Sequence, residues 1–556
     1  MQFKKTLVPL FILLVPFASN AQTTYLGQDA KENVLLERIE IKAKTDSVLN
    51  FSKDKPYSRK AVIPVIERYY SDSASNFKLS KVDLYNAQSA LMNSSEWTNL
   101  RFASKHPLGK NFYKTPAHLF EVNKPDFFLT IDPVIQFKYG KEKDVNDALF
   151  LNSRGVVIRG RLANKIGFYT YITDNQERDP LYVRQWEAQF KSVPGEGYYK
   201  NFKTTGYDYF DARGYFSFNV TKYIDVSFGY DKNFIGNGYR SLFLSDFSNN
   251  ILFLKVNTRI WKLNYQNLFM ELNATEPRGP DRLLAKKYAT MHHLDVGVTK
   301  WLNLGLFEGI IFGRKDHFEF GYINPIIFYR SIEQQNGSFD NAVVGFDAKA
   351  NVAHKFQFYG QLLIDEFVLS ELKAGKGWWG NKYGIQVGAK YIDAFNIPNL
   401  DLQVEVNRVR PFTYSHEDSV TNYTHYNQPL AHPLGANFQE LIGLLRYQPA
   451  PKWNIQAKAI YYYQGKDSTN GSSFGSNIFL PYGPPYRTKD YGFNIGSGVK
   501  EKTALASLFL SYELKQNFFL EATATYRNQS ISGTSGNTFF IMAGIRWNMH
   551  RREFDF

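Results

Sequence analysis

The chain has 556 residues with 17% aromatic side chains and a mean hydropathy of only −0.38, and it contains no run of about 20 apolar residues, which together exclude a helical membrane protein. Its formal net charge of +14 comes from Lys and Arg spread along the chain, without the concentrated basic block of a nucleic-acid-binding protein. The absence of Cys excludes disulfides, thiolate metal sites and lipid attachment through Cys.

Residues 1–21 have the pattern of a cleaved secretory signal. Lys4 and Lys5 supply the positive charge, and residues 7–17 form an apolar core that is too short to span a bilayer. Small residues follow this core. We therefore predict cleavage after Ala21 and export across the inner membrane.

Residues 22–124 differ from the rest of the chain because their apolar side chains have helical spacing. The two predicted helices are residues 64–70, with Pro64 at the first position, and residues 81–92, with Ser80 as N-cap. We predict a small helical region on the periplasmic side. The alternative interpretation is a partly ordered leader.

Residues 125–556 show polar and apolar side chains that alternate in segment after segment. In residues 400–407, for example, apolar side chains alternate with polar ones that include Asp401 and Glu405. A period of two is typical of strands with one polar and one apolar face. Its recurrence predicts an all-β fold, a closed transmembrane antiparallel β-barrel of roughly 16 to 18 strands. A register slip of one residue would move both carboxylates into lipid, so the register is strongly specified.

Two further elements of this region are predicted from local pattern. Residues 180–191 begin with Pro and have the pattern of a short helix within a loop. Residues 538–548 form the predicted last strand. The closing residues 553–556 end in Phe, similar to the signal that the outer-membrane assembly machinery reads, which makes that machinery an expected partner.

A glycine-rich segment lies between two of the predicted strands. It reads Gly229-x-Asp231 and then Gly236-x-Gly238-x-Arg240-Ser241-Leu242-x-Leu244-Ser245, and residues 320–325 read Phe-Gly-Tyr-Ile-Asn-Pro. These motifs resemble two segments of the Wzi-type capsule-assembly proteins of the bacterial outer membrane. One position departs from that pattern, because Ile235 stands where Trp is expected.

The resemblance implies eighteen strands, a lumen closed by loops, helices beneath the barrel and a location in the outer membrane of a Gram-negative bacterium. It also implies a non-enzymatic, lectin-like function: the barrel binds or organises an acidic surface polysaccharide. Outer-membrane lipid and lipopolysaccharide are further expected partners, nucleic acid is not expected, and no cofactor is implied.

Two alternative functions remain open from the sequence. The chain also resembles RemB-type barrels that are linked to gliding motility, where the barrel would serve as a scaffold for moving surface components. A passive porin is the other alternative. Its candidate lumen residues Lys390, Lys458 and Arg527 would make such a pore prefer anions, although Glu405 and Glu521 are candidate partners that would block it.

Six residues are candidates for contact with a glycan. They are Asp231, Asn237, Tyr239, Arg240, Trp378 and Trp379. An Arg side chain can bind a sugar carboxylate through two hydrogen bonds, and two exposed indoles in a loop can stack on sugar rings. The alternatives are a structural Arg240 in the lumen, paired with Asp231 or Asp246, and a Trp pair that anchors the barrel at the membrane interface.

Some segments contain the residues of catalytic or metal-binding motifs, but not the structural context that these motifs require. Residues 375–380 match G-x-G-x-x-G but precede an alternating strand, and residues 471–475 match G-x-S-x-G but follow a polar run. Neighbours in a strand face opposite sides, so neither His292-His293 nor Asp365-Glu366 forms a shared site unless a bulge intervenes. Asp295 can share a face with His293, but two ligands do not make a metal site. We predict neither an enzyme nor a metal site.

Overall fold

The computed structural model describes residues 24–27, 30–71, 77–278, 283–314, 317–338, 340–468 and 471–556. The predicted signal peptide, residues 1–21, lies outside the described residues and stays a prediction. Within the described ranges, none of the helices combines the length and the apolar character that crossing a membrane requires.

Eighteen antiparallel strands form a closed barrel in which each strand pairs with its neighbours in chain order and the last pairs with the first. This confirms the predicted fold and strand number. The strands, β1 to β18, are Phe127–Glu142, Ala148–Leu162, Ile166–Arg178, Gly206–Asn219, Ile224–Asp231, Ile251–Ile260, Leu263–Arg278, Leu283–Gly297, Leu302–Phe312, Asn341–Val352, Phe356–Glu366, Lys382–Tyr391, Leu400–Val409, Phe438–Tyr447, Trp453–Lys466, Val499–Lys515, Phe518–Ile531 and Thr534–Trp547.

The strands present polar side chains to the lumen and apolar side chains to the outside. In β13, Glu405 and Asn407 are fully buried inside the barrel, whereas the outward Val404 is 52% exposed. Connections at one end of the barrel are all short, whereas every long connection lies at the other end. In outer-membrane barrels the short turns are periplasmic and the long loops extracellular, and the two ends are named in that sense below.

Three helices form a cap at the periplasmic end. They are α1 (Glu32–Ala43), α2 (Arg59–Ser71) and α3 (Lys81–Met92), and their buried apolar side chains form one cluster. The predicted N-cap is confirmed, because Ser80 and Asp83 form a capping box at the start of α3. The prediction for Pro64 is wrong: α2 begins at Arg59, so Pro64 lies inside the helix.

Ion pairs dock the cap onto the barrel wall. Arg38 of α1 donates to Asp83 of α3 (2.9 Å) and to Asp393 in the turn after β12 (2.8 Å). Glu37 of α1 accepts from Lys390 of β12 (2.5 Å). The cap therefore closes the periplasmic end with charged side chains that face the lumen.

One stretch outside the barrel interrupts the apolar outer surface. The outer-wall segment (residues 317–338) includes α5 (Tyr329–Asn336) and packs against outward polar side chains of β8 and β9. Glu308 accepts from the backbone N of Arg330 (3.3 Å), and the His292 ring lies 3.8 Å from that of Tyr329. The opposite side of the segment is apolar, with Ile326 88% exposed. The segment thus separates these polar groups from lipid.

The residues after β18 fold back into the lumen. This inner segment (residues 548–556) ends with Phe556, which is buried and packs against Trp186 of α4 (Leu181–Phe190) at 5.5 Å between ring centroids. The predicted helix at residues 180–191 is confirmed as α4. The predicted last strand, residues 538–548, is confirmed as β18, which begins at Thr534 and ends at Trp547. The closing Phe lies in the lumen.

Candidate functional site

The connection between β5 and β6 enters the lumen instead of projecting from the barrel. In this motif loop (residues 232–250), Phe234–Ile235 pairs with Asp54–Lys55 next to the cap. The backbone N of Gly236 donates to the carbonyl O of Lys53 (2.9 Å). Gly236 has a φ of +148°, which residues with a side chain rarely adopt. The loop thus joins the cap through the interior of the barrel.

Polar side chains of the barrel wall hold the motif loop in place. Glu405 of β13 accepts from the backbone N of Tyr239 (2.6 Å) and of Arg240 (3.0 Å). Gly238 permits this approach, since a Cβ there would lie 2.6 Å from Glu405 Oε2. Gln361 of β11 fixes the same loop with both atoms of its amide. These wall residues were not predicted as part of the site.

The side chain of Arg240 is buried and paired with carboxylates. Nη1 donates to Asp555 Oδ1 (2.9 Å), and Nη2 donates to Glu440 Oε1 (3.3 Å) and to the Asp555 carbonyl O (2.8 Å). The alternative prediction, a structural role for Arg240, paired its side chain with Asp231 or Asp246. The pairing in the lumen is instead with Asp555 and Glu440.

The inner segment supplies most of the negative charge of this network. Lys458 of β15 donates to Asp555 (2.6 Å) and pairs with Glu553, and the Tyr239 hydroxyl donates to Asp555. Although burial opposes ionisation, the guanidinium of the motif loop and then Lys458 hold the pKa of Asp555 well below its usual range. The motif loop and the inner segment are therefore locked together by charge.

The other two motif residues predicted for glycan contact lie near this network. Asp231 lies 4.0 Å from Arg213 Nη1 and accepts from the backbone N of Lys232 (2.8 Å). Asn237 donates to Oγ of Ser52 (3.1 Å), which lies between α1 and the short strand Asp54–Lys55. The structure thus brings the four predicted motif residues into the lumen.

A cavity of about 600 Å³ lies in the lumen between the cap, the motif loop and the inner segment. Twelve Lys and Arg residues and eight Asp and Glu residues line it. Among the described residues, Lys55, Arg59 and Lys232 are lining cations with no carboxylate oxygen within 4.0 Å. Burial and then Lys390 lower the pKa of Lys55 to about 8. The lining of the cavity is therefore positive overall.

The two predicted tryptophans lie far from the cavity, at the extracellular end. They belong to a mouth cluster defined as Trp378, Trp379, Tyr482, Arg487 and Lys489. The Trp379 and Tyr482 ring centroids are 4.9 Å apart, and the Arg487 guanidinium lies 4.0 Å from the Trp379 centroid. Both indoles are half-buried, which corrects the expectation of two exposed rings.

Backbone hydrogen bonds join the two loops that carry the mouth cluster. The N–H of Trp379 donates to Asp490 O (3.0 Å), and the N–H of Gly492 donates to Lys376 O (2.9 Å). Lys376 and Lys489 are exposed beside the rings. The arrangement presents aromatic rings and two exposed lysines on one surface, which hydrogen bonds between the two loops hold together.

The carboxylate pair of β11 does not face opposite sides as expected. A bulge separates Ile364 from Glu366, and Lys382 donates to both Asp365 (3.1 Å) and Glu366 (2.9 Å). The bulge thus brings the two carboxylates to one cation, which forms an ion pair with each of them.

The histidine pair of β8 faces opposite sides, as its positions in a strand imply. His293 bridges Asp54 (2.7 Å) and Asp347 (2.8 Å) inside the barrel, whereas His292 faces the outer-wall segment. Asp295 pairs with Lys53 (3.1 Å) and not with His293. These contacts hold the cap against the wall.

The two letter matches to catalytic motifs lie in loops. Gly375 ends the short helix α6 (Leu369–Ala374), and β12 begins shortly after Gly380, so no helix opens on the last glycine. Ser473 donates to Asp467 (3.2 Å) within a loop. Neither context matches the one its motif requires.

Comparison with known proteins identifies the family. The model of the capsule assembly protein Wzi family matches residues 185–535. The chain belongs to the Wzi family. This confirms the resemblance carried by the glycine-rich motif, and the Wzi-family barrel is an outer-membrane protein, as predicted. A search of curated protein sequences finds no match.

A solved structure shares the fold of this Wzi-family chain, and a second one shows a weaker similarity. Escherichia coli Wzi, described as an outer-membrane protein involved in group 1 capsule assembly and as a carbohydrate-binding β-barrel, has a TM-score of 0.59 at 13% identity, over 96% of this chain and 100% of that one. Pseudomonas aeruginosa OprD has a TM-score of 0.43 at 11% identity, over 75% and 94%.

The cations proposed for an anion-preferring pore are engaged inside this Wzi-family barrel. Lys390 pairs with Glu37 of the cap, and Lys458 pairs with the inner segment. Arg527 lies against the Tyr182 ring at 4.7 Å. Their partners thus come from segments that fill the lumen, and not from Glu405 and Glu521 as predicted.

Proposed function

We propose that this chain is a non-enzymatic outer-membrane barrel that binds an acidic surface polysaccharide at its extracellular mouth. The mouth cluster is the observation that carries the proposal. Its aromatic faces suit stacking against sugar rings, and Lys376 and Lys489 suit the carboxylates of an acidic glycan. Membership of the Wzi family, which includes a carbohydrate-binding barrel, supports the same function.

The motif residues have a different part in this proposal. Both terminal nitrogens of the Arg240 guanidinium are engaged by Asp555 and Glu440 and its Nε is buried, so it has no accessible donor pair for a sugar carboxylate. We assign Asn237, Tyr239 and Arg240 to holding the lumen closed. Trp378 and Trp379 are then the residues that contact the glycan.

Binding of the detergent-purified protein to an acidic polysaccharide tests the proposal. Alginate is the probe, and neutral dextran is the comparison. Trp378→Ala should weaken alginate binding about 10-fold or more, because an aromatic contact contributes on the order of 1 kcal/mol. Trp261→Ala, which removes an exposed indole at the periplasmic end, should leave binding unchanged.

Equal alginate binding by wild type and Trp378→Ala would remove the mouth cluster from the site. A deletion strain separates the remaining alternative: shedding of capsule supports polysaccharide binding, whereas loss of spreading with an intact capsule supports the gliding function, which stays a prediction.

A further inference from the structure

Three carboxylates from two elements meet at the extracellular end of the lumen. Glu177 lies near the end of β3, Asp179 follows that strand, and Glu187 lies on α4. One oxygen of each lies within 4.8 Å of the others, and the three residues are 2%, 5% and 0% exposed. Burial of three acidic groups so close together requires a compensating positive charge.

That charge is provided for only one member of this acidic cluster (Glu177, Asp179 and Glu187). Arg552 of the inner segment donates to both oxygens of Glu177 (3.1 Å each). No Lys, Arg or His nitrogen of the described chain lies within 4.0 Å of Asp179 or Glu187, and the neighbouring Arg184 pairs with Asp147 instead. Two negative charges are left without a partner.

A separate observation concerns hydrogen bonding. Both oxygens of Glu187 and Oδ2 of Asp179 are buried, and no described residue donates to them with the geometry of a hydrogen bond, although the Tyr207 hydroxyl lies close to Glu187. Buried polar atoms are rarely left this way, because each costs the full free energy of its desolvation. Buried carboxylate oxygens of this kind require either a bound proton or a metal ion.

We propose that the acidic cluster binds a divalent cation, for which Ca²⁺ is the best match. Three oxygens that all lie within 4.8 Å of one another can surround a common centre at about 2.8 Å or less, a range that includes Ca–O distances of about 2.3–2.6 Å. Mg²⁺ requires shorter bonds and a stricter octahedron. With Arg552 balancing one of the three carboxylates, a divalent ion balances the other two.

A cation at this position would join three parts of the molecule. Glu177 belongs to the barrel wall, Glu187 belongs to an extracellular loop, and Arg552 ties the inner segment to Glu177. Trp186, which directly precedes Glu187 on α4, packs against Phe556 and Phe247. Bound Ca²⁺ therefore fixes the extracellular end of the lumen in its closed arrangement.

A neighbouring group of residues provides a matched control. Glu196, Asp211 and His550 also have ligand atoms within 4.8 Å of one another. Arginines already occupy this group, because Arg213 donates to Asp211 (2.8 Å) and Arg552 lies 3.5 Å from Glu196. The two carboxylates of this group are therefore already balanced by two arginines, which leaves no negative charge for a divalent ion, so Glu196→Gln removes a nearby buried carboxylate that is not a member of the acidic cluster.

The test uses the detergent-purified full-length protein after treatment with EDTA. Tb³⁺, a luminescent substitute for Ca²⁺, is titrated with excitation through Trp186, and the melting temperature is measured in EDTA and in excess Ca²⁺. Wild type should show Tb³⁺ emission that Ca²⁺ displaces, and a higher melting temperature in Ca²⁺. Glu187→Gln and Asp179→Asn should weaken Tb³⁺ binding about 10-fold or more and lose the Ca²⁺ shift. Glu196→Gln should keep both responses.

Protonated carboxyl groups would give a different set of results. Wild type would then show no displaceable Tb³⁺ emission and one melting temperature in EDTA and in Ca²⁺, and Glu187→Gln would be as stable as wild type. That result overturns the proposal, as does a Ca²⁺ response that survives in both Glu187→Gln and Asp179→Asn.

Discussion

Arg240 illustrates how a single buried side chain holds the interior of this barrel together. Arg240→Ala should lower the free energy of unfolding by about 3–5 kcal/mol, because it leaves Asp555 and Glu440 buried without their cation. Urea unfolding in detergent micelles measures this difference. Arg101→Ala, at an exposed arginine of the periplasmic region, should change the free energy by less than about 1 kcal/mol. Similar values for the two variants would contradict the structural role of Arg240.

Residue orientation was predictable here, but residue partners were not. Alternation within β13 and β15 correctly predicts that Glu405 and Lys458 face the lumen, because successive side chains of a strand point to opposite sides. Asp555 is 97 positions away from Lys458, and no local pattern encodes a contact across such a distance. The acidic cluster was not predicted for a different reason: its members are close in sequence but follow no metal-ligand spacing, and they meet only because α4 lies against the end of β3.

Docking of α1 on the barrel should depend on pH through Glu37. Although burial opposes ionisation, Lys390 and then Arg446 lower the pKa of Glu37 from its ordinary value of 4.5 to about 2. Its contribution to stability is therefore fully present above pH 4.5 and is lost as the pH falls towards 2. Melting temperatures between pH 6 and pH 2.5 should fall less steeply in Glu37→Gln than in wild type. Parallel curves would show that this ion pair does not stabilise the cap.

Whole elements were predictable where their signals are local. The capping box of α3 and the Pro-initiated α4 are examples. α1 was missed, because its buried face includes Arg38, Glu40 and Lys42, which become buried only by pairing with the wall. Packing of α2 tolerates Pro64 inside the helix, at the cost of one backbone hydrogen bond. The outer-wall segment was not predicted either, because alternation along β8 and β9 does not show that their outward polar groups Glu308 and His292 are covered by the residues that follow.

The molecule as a whole is a barrel filled from both ends. The cap enters from the periplasmic end and pairs with the wall. The motif loop enters from the extracellular end. The inner segment lies between them and forms ion pairs with Arg240 of the motif loop and Lys458 of the wall. Each filling element takes its partners from the polar half of the strands. The lumenal face thus functions as a binding surface for the chain's own segments, which leaves the extracellular mouth as the surface offered to other molecules.

This arrangement leads to a prediction about ion conduction. In planar bilayers, wild type should conduct little, whereas a variant that ends at Trp547 should conduct more, because it lacks the segment that lies in the lumen and pairs with Arg240 and Lys458. The double variant Glu553→Gln, Asp555→Asn keeps the segment and changes only its charge, so it should conduct less than the truncated one. Porin-like conduction by wild type would mean that the ion pairs do not keep the lumen closed. Equal, low conduction by all three proteins would mean that the cap alone closes the barrel.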